Sequence, residues 1–471
     1  MVPNDPVEQH SAVPIKAEPG GILELIRVAI PLVISSGSLS LMSAADRMIL
    51  AGYSTDGLAA VTPASMLHWT VVCIPMGTIL FANTFISQFD GAGEHRKACA
   101  SLWQAIWLAV IAGCCLLFMI PFSTSLFSLV KQPPGVIQQE VIYFNTLCSG
   151  SICLLVSIAM SCYFSGRQNT SVIMWVNLFG VFVNFGLDYL CVFGVGPLPE
   201  MGIRGAALAT VLARFGECLI YLTLILRAER GRSLFWSAWR PDMILFRQYM
   251  KYGVASGLHY FVDNSGFTTF LLIVGTLGRD ALAATNLAFS VNGLIFIPLL
   301  GFGTAIQTLV GHHLGSGSID RASRTARNAM FLGILWTGGA GLLLVLIPEL
   351  MLKPFTLFAG GRDSAAQSLT DITPTIVLLL RFVAVYSVFD ALAVVFSSAL
   401  RGAGDTVFPM ILTMCSSWLI MVVPSILIAQ SETATLTKLW MTCSVHISLT
   451  GGFMFLRFYS GRWKRIQLVR Q

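Results

Sequence analysis

The sequence predicts an all-α polytopic membrane protein, with twelve transmembrane helices in two six-helix lobes related by a pseudo-twofold axis along the membrane normal. Three observations carry that reading. The chain is too apolar for a water-soluble fold, it contains twelve apolar runs of bilayer length, and an internal repeat relates the first six runs to the last six.

Of 471 residues, 55% are hydrophobic and only 11% charged, against about a quarter charged in an average soluble domain. Mean hydropathy is +0.76. Surface-to-volume scaling leaves a large exterior on any compact fold, and this chain lacks the polar side chains to cover it. The lipid bilayer is therefore its expected partner. The net charge of +6 is spread over short loops between apolar runs and is not gathered on one polar domain, so no nucleic-acid partner is expected. Eleven cysteines are present, and Cys73, Cys114, Cys115, Cys162 and Cys218 lie inside apolar segments, where a free thiol packs as a small hydrophobe. No Cys-x-x-Cys pair has metal-ligand spacing. These patterns imply no cofactor and no structural metal.

A bilayer core takes roughly 20 apolar residues per helix. Residues 1–20 are polar, with Pro3, Pro6, Pro14 and Pro19, and lack a basic region followed by an apolar core. They read as a disordered cytoplasmic tail, not a secretory signal. The N-lobe, 21–230, holds runs 22–52, 58–87, 98–122, 136–165, 170–194 and 203–227. A basic cytoplasmic linker, 231–248, leads to the C-lobe, 249–460, with runs 249–275, 281–310, 322–350, 372–399, 405–430 and 435–460. A basic cytoplasmic tail, 461–471, ends the chain. Several runs exceed the bilayer thickness, as tilted or kinked helices do. Pro31 lies in the first run, where it frees a backbone carbonyl and makes a candidate hinge. Pro75, Pro298, Pro374, Pro409 and Pro424 predict further bends, tolerated where neighbouring helices pack.

Loops on one side hold Arg96, Lys97, Arg167, Arg227, Arg230, Arg232, Arg240, Arg321, Arg324, Arg327 and Arg401, and the tail adds Arg462, Lys464, Arg465 and Arg470. Alternate loops hold little more than Lys131, Arg204, Arg279, Lys353, Arg362 and Lys438. The positive-inside rule then puts both termini in the cytoplasm.

Residues 58–98 and 282–322 align without a gap at an offset of 224: Leu58-Ala59-Ala60 meets Leu282-Ala283-Ala284, Gly77 meets Gly301, and Gly91-Ala92-Gly93 meets Gly315-Ser316-Gly317. A second echo joins Gly166-Arg167-Gln168-Asn169-Thr170 to Gly402-Ala403-Gly404-Asp405-Thr406. Six spans return the chain to its starting side, so the halves are parallel repeats. In transporters such repeats place the substrate path between the halves. A duplication kept only for packing is the alternative.

Acidic side chains inside a bilayer cost about 2.5–3.5 kcal/mol on insertion scales, so they face a cavity or a partner. Five fall in the runs: Asp46, Asp188, Glu217, Asp263 and Asp390. Asn184 and Asp188 are spaced i, i+4 and share one helical face. Thr210 follows in Gly205-Ala-Ala-Leu-Ala-Thr210, whose small residues permit close helix approach. Two carboxylates, a carboxamide and a hydroxyl are the oxygen ligands a hard cation prefers. Two buried carboxylates also repel, which lets a proton compete for the site. Hydrogen-bonded glue between helices is the structural alternative. Asp263 and Asp390 each stand alone on an apolar span, as a cation site, a cationic-substrate site or a carboxyl bonded across helices. Glu217 sits one turn from Arg214, where a self-neutralising structural pair is expected. Tyr260, Phe261 and Trp69 are candidate walls of a cavity for lipophilic cations.

Across residues 20–460 the sequence resembles the multidrug and toxic compound extrusion (MATE) family, NorM/DinF-like. The resemblance is carried by Ile30-Pro31-Leu32, Ala45-Asp46-Arg47-Met48, Leu58-Ala59-Ala60-Val61, the Gln88-to-Gly93 end of the second run, Asn184-Phe-Gly-Leu-Asp188, Gly202-to-Thr210 and Ala399-to-Thr406. It implies a cation-coupled exporter with two lobes around a central cleft. Residue by residue, it implies an N-lobe cation site at Asp46, Asn184, Asp188 and Thr210, and C-lobe acids at Asp263 and Asp390. Relatives commonly carry Glu at the first of those two acids. The expectation is a monomeric, non-enzymatic antiporter in the plasma membrane (the inner membrane of a bacterium), exchanging a small organic molecule for Na+ or H+ by alternating access. The alternative is a lipid-linked precursor flippase of the same superfamily. A membrane hydrolase is disfavoured, because neither Gly-x-Ser-x-Gly nor His-Glu occurs. No P-loop is present for ATP.

Overall fold

The computed structural model describes residues 18–128, 133–195, 199–229, 234–348, 363–466 and 468. Most of the expected N-terminal tail, residue 230 at the end of the N-lobe, the first part of the linker (231–233), the loop charges Lys131, Lys353 and Arg362, the end of the run 322–350, and residues 467 and 469–471 of the C-terminal tail lie outside them.

Sixteen α-helices occur among the described residues, and no strand. They are α1 (Ile22–Tyr53), α2 (Thr55–Leu80), α3 (Ala82–Gly91), α4 (His95–Leu117), α5 (Ser123–Ser128), α6 (Pro134–Gly166), α7 (Thr170–Phe193), α8 (Ile203–Ala228), α9 (Leu234–Ser237), α10 (Met243–Gly275), α11 (Arg279–Gly315), α12 (Ile319–Leu346), α13 (Asp363–Ala403), α14 (Val407–Cys415), α15 (Val423–Ala429) and α16 (Leu436–Tyr459). With α2–α3 and α14–α15 each forming one bent crossing, twelve spans result. Eleven are long and apolar enough to cross a membrane by composition alone. The twelfth is the 33-residue α10, whose apolar run is interrupted by Lys251, His259, Asp263 and Asn264. The outer surface is itself apolar: Phe118, Phe182 and Leu272 are exposed, the inverse of a soluble protein and the arrangement lipid requires.

Two of the expected bends appear as breaks in their spans, near Pro75 and Pro424, whereas α11 runs on through Pro298 and α13 through Pro374. The run read as 58–87 breaks at Phe81, six residues after Pro75, where the Phe81 N–H turns back to the Thr78 carbonyl at 3.3 Å. The run read as 405–430 widens into a π-helical stretch, Ser416–Val422, before Pro424. Proline cannot donate its N–H, and the ladder opens there. The wide turn presses Ser417 against Gly266 of α10, leaving no room for a Cβ. The linker also differs from expectation, since α10 begins at Met243. Ahead of it, Trp103 donates to the Phe235 carbonyl at 2.7 Å and Trp107 to that of Trp239 at 3.1 Å. These bonds hold α9 and the turn beyond it against α4.

The repeat is structural. The offset of 224 relates the start of α2 to that of α11, the end of α3 to that of α11, and the start of α4 to that of α12. Between the last two pairs, Gly93 and Gly317 have φ of +75° and +74°, a left-handed turn that glycine adopts without strain.

The lobes meet most closely at the end of the bundle that holds both described termini, here called the tail end. Gly91 packs on the His312 carbonyl and Gly315 on the Gln88 carbonyl, neither with space for a Cβ. Asn83 Nδ2 donates to Thr308 Oγ1 at 2.9 Å, and Gln307 Nε2 to Thr84 Oγ1 at 2.8 Å. Both pairings are reciprocal at the offset of 224. Gln88 Nε2 adds a bond to the Gly402 carbonyl at 2.9 Å. Further along, α1 crosses α11 where a Cβ on Gly301 would sit 2.5 Å from the Leu32 carbonyl. Similarly, α2 crosses α10 at Gly77 and Gly257. Among the described residues, the inter-lobe side-chain hydrogen bond farthest from the tail end is Asn264 Nδ2 to Thr70 Oγ1, at 3.4 Å.

Candidate cation-binding site

Three N-lobe helices deliver Asp46, Asn184, Asp188 and Thr210 to one point. Asp46 stands seven residues before the end of α1, Asp188 five before the end of α7, and Thr210 seven after the start of α8. At 1.5 Å per residue the cluster lies about 10 Å inside the end opposite the tails. Close approach is possible because α8 opens with small residues: a Cβ on Gly205 would sit 2.5 Å from the Cys191 carbonyl of α7.

Asp46 is 7% exposed, and Asn184 and Asp188 are fully buried. Thr210 Oγ1 lies 3.5 Å from Asp46 Oδ2 and 3.4 Å from Asn184 Nδ2. With the Asn184 amide turned over, its nitrogen donates instead to Asp46 Oδ1 and Asp188 Oδ2, both at 3.2 Å. The two carboxyls are also within hydrogen-bonding reach of each other. Among the described residues, Asp188 Oδ1 is buried with no hydrogen-bond partner. Such an atom is costly unless something visits it, and the groups around it are carboxyl and hydroxyl oxygens with one amide. These residues fit a small hard cation or a shared proton.

Arg214 and Glu217 form the expected pair. Arg214 Nη1 reaches both Glu217 oxygens, at 3.0 and 2.9 Å, and Ser157 donates to Oε2 at 2.8 Å.

In the C-lobe, Asp263 of α10 and Asp390 of α13 lie within electrostatic range of each other, and Arg401 within range of Asp263. Neither carboxylate hydrogen-bonds to another described residue. These acids stand apart from the N-lobe four. Tyr260, one turn from Asp263, packs on Gly77 of α2, and the Arg401 guanidinium stacks over its ring at 5.1 Å. Phe261 is two residues from Asp263, on a different side of α10. Trp69 is 46% exposed and neighbours Thr70. Pro31 sits in an unbroken α1, beside the Leu32 crossing with Gly301.

Sequence reasoning missed Tyr143 of α6, buried within electrostatic range of Asp46 and Asp188. It also missed the polar seam of Asn83, Thr84, Gln88, Gln307 and Thr308. The signal for the seam was present, since Asn83 and Gln307 are separated by the repeat offset. Arg167, read as a loop charge, pairs with Asp90 at 3.2 Å and Glu229 at 2.8 Å.

The MatE family profile matches residues 31–190 and 255–427, more than half of the chain and parts of both lobes. The chain is 28% identical to the probable multidrug resistance protein NorM of Thermotoga maritima, covering 95% of this chain and 94% of the relative. It is 26% identical to its namesake in Chromobacterium violaceum, covering 95% of each. Among solved structures, a MOP superfamily transporter from Pyrococcus furiosus superposes with a TM-score of 0.83 at 19% identity, over 94% of this chain and 97% of that one. A MATE family transporter described in an outward-facing conformation also gives 0.83, at 18% identity, over 96% and 98%. At such identities the structural likeness is one of fold. The match of the family profile across both halves decides the rest: the chain belongs to the MatE family, the multidrug and toxic compound extrusion transporters.

Proposed function

We propose that this protein is a secondary antiporter that exports small organic, lipophilic cationic compounds in exchange for Na+ or H+. The observation that carries the reading is the convergence of Asp46, Asn184, Asp188 and Thr210, with Asp188 Oδ1 unpartnered among the described residues. The names of the relatives, multidrug resistance proteins, support export of drug-like molecules. The tail end faces the cytoplasm in this reading, with the chain a monomer in the plasma membrane. The reciprocal seam then closes the cytoplasmic side, leaving the N-lobe site nearer the outside. A cation from outside enters the site and neutralises carboxylates that otherwise repel. The lobes then favour a different arrangement, with Pro31 beside the α1–α11 crossing as hinge. Asp263 and Asp390 are placed to attract a cationic substrate or a second cation. Membrane potential supplies about 2.3 kcal/mol per charge per 100 mV. A lipid-precursor flippase would need a strongly cationic cleft, and the four intramembrane aspartates argue against it.

The test is dye efflux from proteoliposomes under an imposed Na+ or pH gradient, with fluorescent lipophilic cations as cargo. One of the two gradients should drive efflux, and combining Asp46→Asn with Asp188→Asn should reduce it at least about tenfold. Efflux indifferent to both gradients, or undiminished in the double variant, would overturn the reading.

A further inference from the structure

The buried pair one turn from the N-lobe site is built asymmetrically. On α8, Thr210, Arg214 and Glu217 follow one another at i, i+4 and i+7, so all three share a face. On α1, Met42 and Asp46 are spaced i, i+4. The two helices touch at consecutive turns: Thr210 Oγ1 is 3.5 Å from Asp46 Oδ2, and Arg214 Nη2 is 3.6 Å from Met42 Sδ. Arg214 therefore sits one helical turn below the carboxylates, and its charge reaches Asp46 across the helix boundary.

Glu217 is held in place. It is 1% exposed, it accepts from Ser157, and Gly180 of α7 gives up its side-chain space to the carboxylate. Arg214 is not. Only Nη1 engages Glu217, taking both oxygens itself, where a fork-to-fork pair would use two nitrogens. Nη2 has the Met42 thioether, a weak acceptor, and Nε is buried with no partner among the described residues. A guanidinium this poorly satisfied, on a long flexible stem beside a second carboxylate, has two places to go.

We propose that Arg214 is a tethered counter-charge of the N-lobe site. It rests on Glu217 while a cation occupies Asp46, Asn184, Asp188 and Thr210, and swings one turn along α8 onto Asp46 when the cation leaves. The inference depends on the N-lobe cation reading above. Two carboxylates in a low-dielectric bundle hold a cation tightly and are costly when left unpaired. A built-in competitor lowers both the affinity and the barrier to release. Glu217 is the dock that keeps the competitor away during loading.

The roles make opposite predictions for the two partners. In proteoliposome efflux, the readout is the half-saturating concentration of whichever ion, Na+ or H+, drives the dye. Removing the competitor, Arg214→Gln, lowers it several-fold and lowers the maximal rate, because release slows. Removing the dock, Glu217→Gln, raises it several-fold. Arg214→Lys moves it back toward the parent value. The combined Arg214→Gln/Glu217→Gln chain leaves no lone buried charge and behaves like Arg214→Gln, so it carries the prediction if the single variant does not fold. Shifts in the same direction for both partners, or none, would overturn the proposal. Asp46→Asn is run in parallel: ion dependence that survives it sinks the N-lobe site itself, whereas ion dependence lost there without opposite shifts sinks the role of Arg214 alone.

Discussion

Asn184 is the hub of the N-lobe cluster, because its amide nitrogen, facing the acids, donates to Asp46 Oδ1 and Asp188 Oδ2, both at 3.2 Å. That amide nitrogen ties the two carboxyls together in the site proposed to hold the cation. A hydrogen bond to a charged group contributes about 1.5–3 kcal/mol. Asn184→Ala should therefore raise the half-saturating ion concentration for efflux about tenfold. Thr210→Ala should raise it less, since its contacts are long, at 3.4 and 3.5 Å. Equal effects from the two would argue that the amide is not the hub. At this scale the sequence was partly legible. The i, i+4 spacing of Asn184 and Asp188 places them on one face without any structure. Asp46 and Thr210 come from other helices, and no local pattern states that they meet. They were identified through family resemblance. Tyr143 was invisible for the same reason.

Helix ends were more legible than helix bends. Glycines at repeat positions 93 and 317 mark turns that must pass through the left-handed region. The second echo breaks that rule: Gly404 has φ of +91°, but its counterpart Gln168 takes φ of +60°, the one non-glycine residue in that region among those described. Relieving it with Gln168→Gly should stabilise the protein by about 1 kcal/mol, read as a higher Tm in detergent. Gly404→Gln should lower Tm, since its Cβ would also fall 2.6 Å from Leu468 Cδ1. A fall in Tm for Gln168→Gly would mean that its side chain contributes more than the backbone strain costs. The π-helical stretch of Ser416–Val422 was not legible. Pro424 announces a disturbance, but whether the ladder tightens, widens or kinks depends on what packs beside it. Here Gly266 of α10 makes the room.

For the whole molecule, the offset of 224 foretold two halves, and helix bounds keep it to the residue on both sides of the Gly93 and Gly317 turns. How the halves touch was not foretold, because Asn83, Thr84, Gln307 and Thr308 look like ordinary polar residues in apolar runs. Their bonds latch the tail end. A carrier that alternates must part them in every cycle. Cysteines at 83 and 308, joined by mild oxidation, should abolish dye efflux, and reducing the bond should restore it. The same oxidant should leave the parent chain, with its eleven native cysteines, unaffected. Continued efflux from the cross-linked protein would mean that the seam stays shut throughout transport.

That seam obeys the bookkeeping of a homodimer: residue 83 of one copy meets 308, the counterpart of 84, and residue 84 meets 307, the counterpart of 83. Gly91 and Gly315 exchange partners in the same way. In a true homodimer every substitution is made twice, once per protomer, and no acid can be confined to one subunit. Joining the protomers into a single chain removes that constraint while preserving the contact geometry. It is what allows one lobe to carry Asp46 and Asp188 and the other Asp263 and Asp390, two different sets of acids on one shared seam.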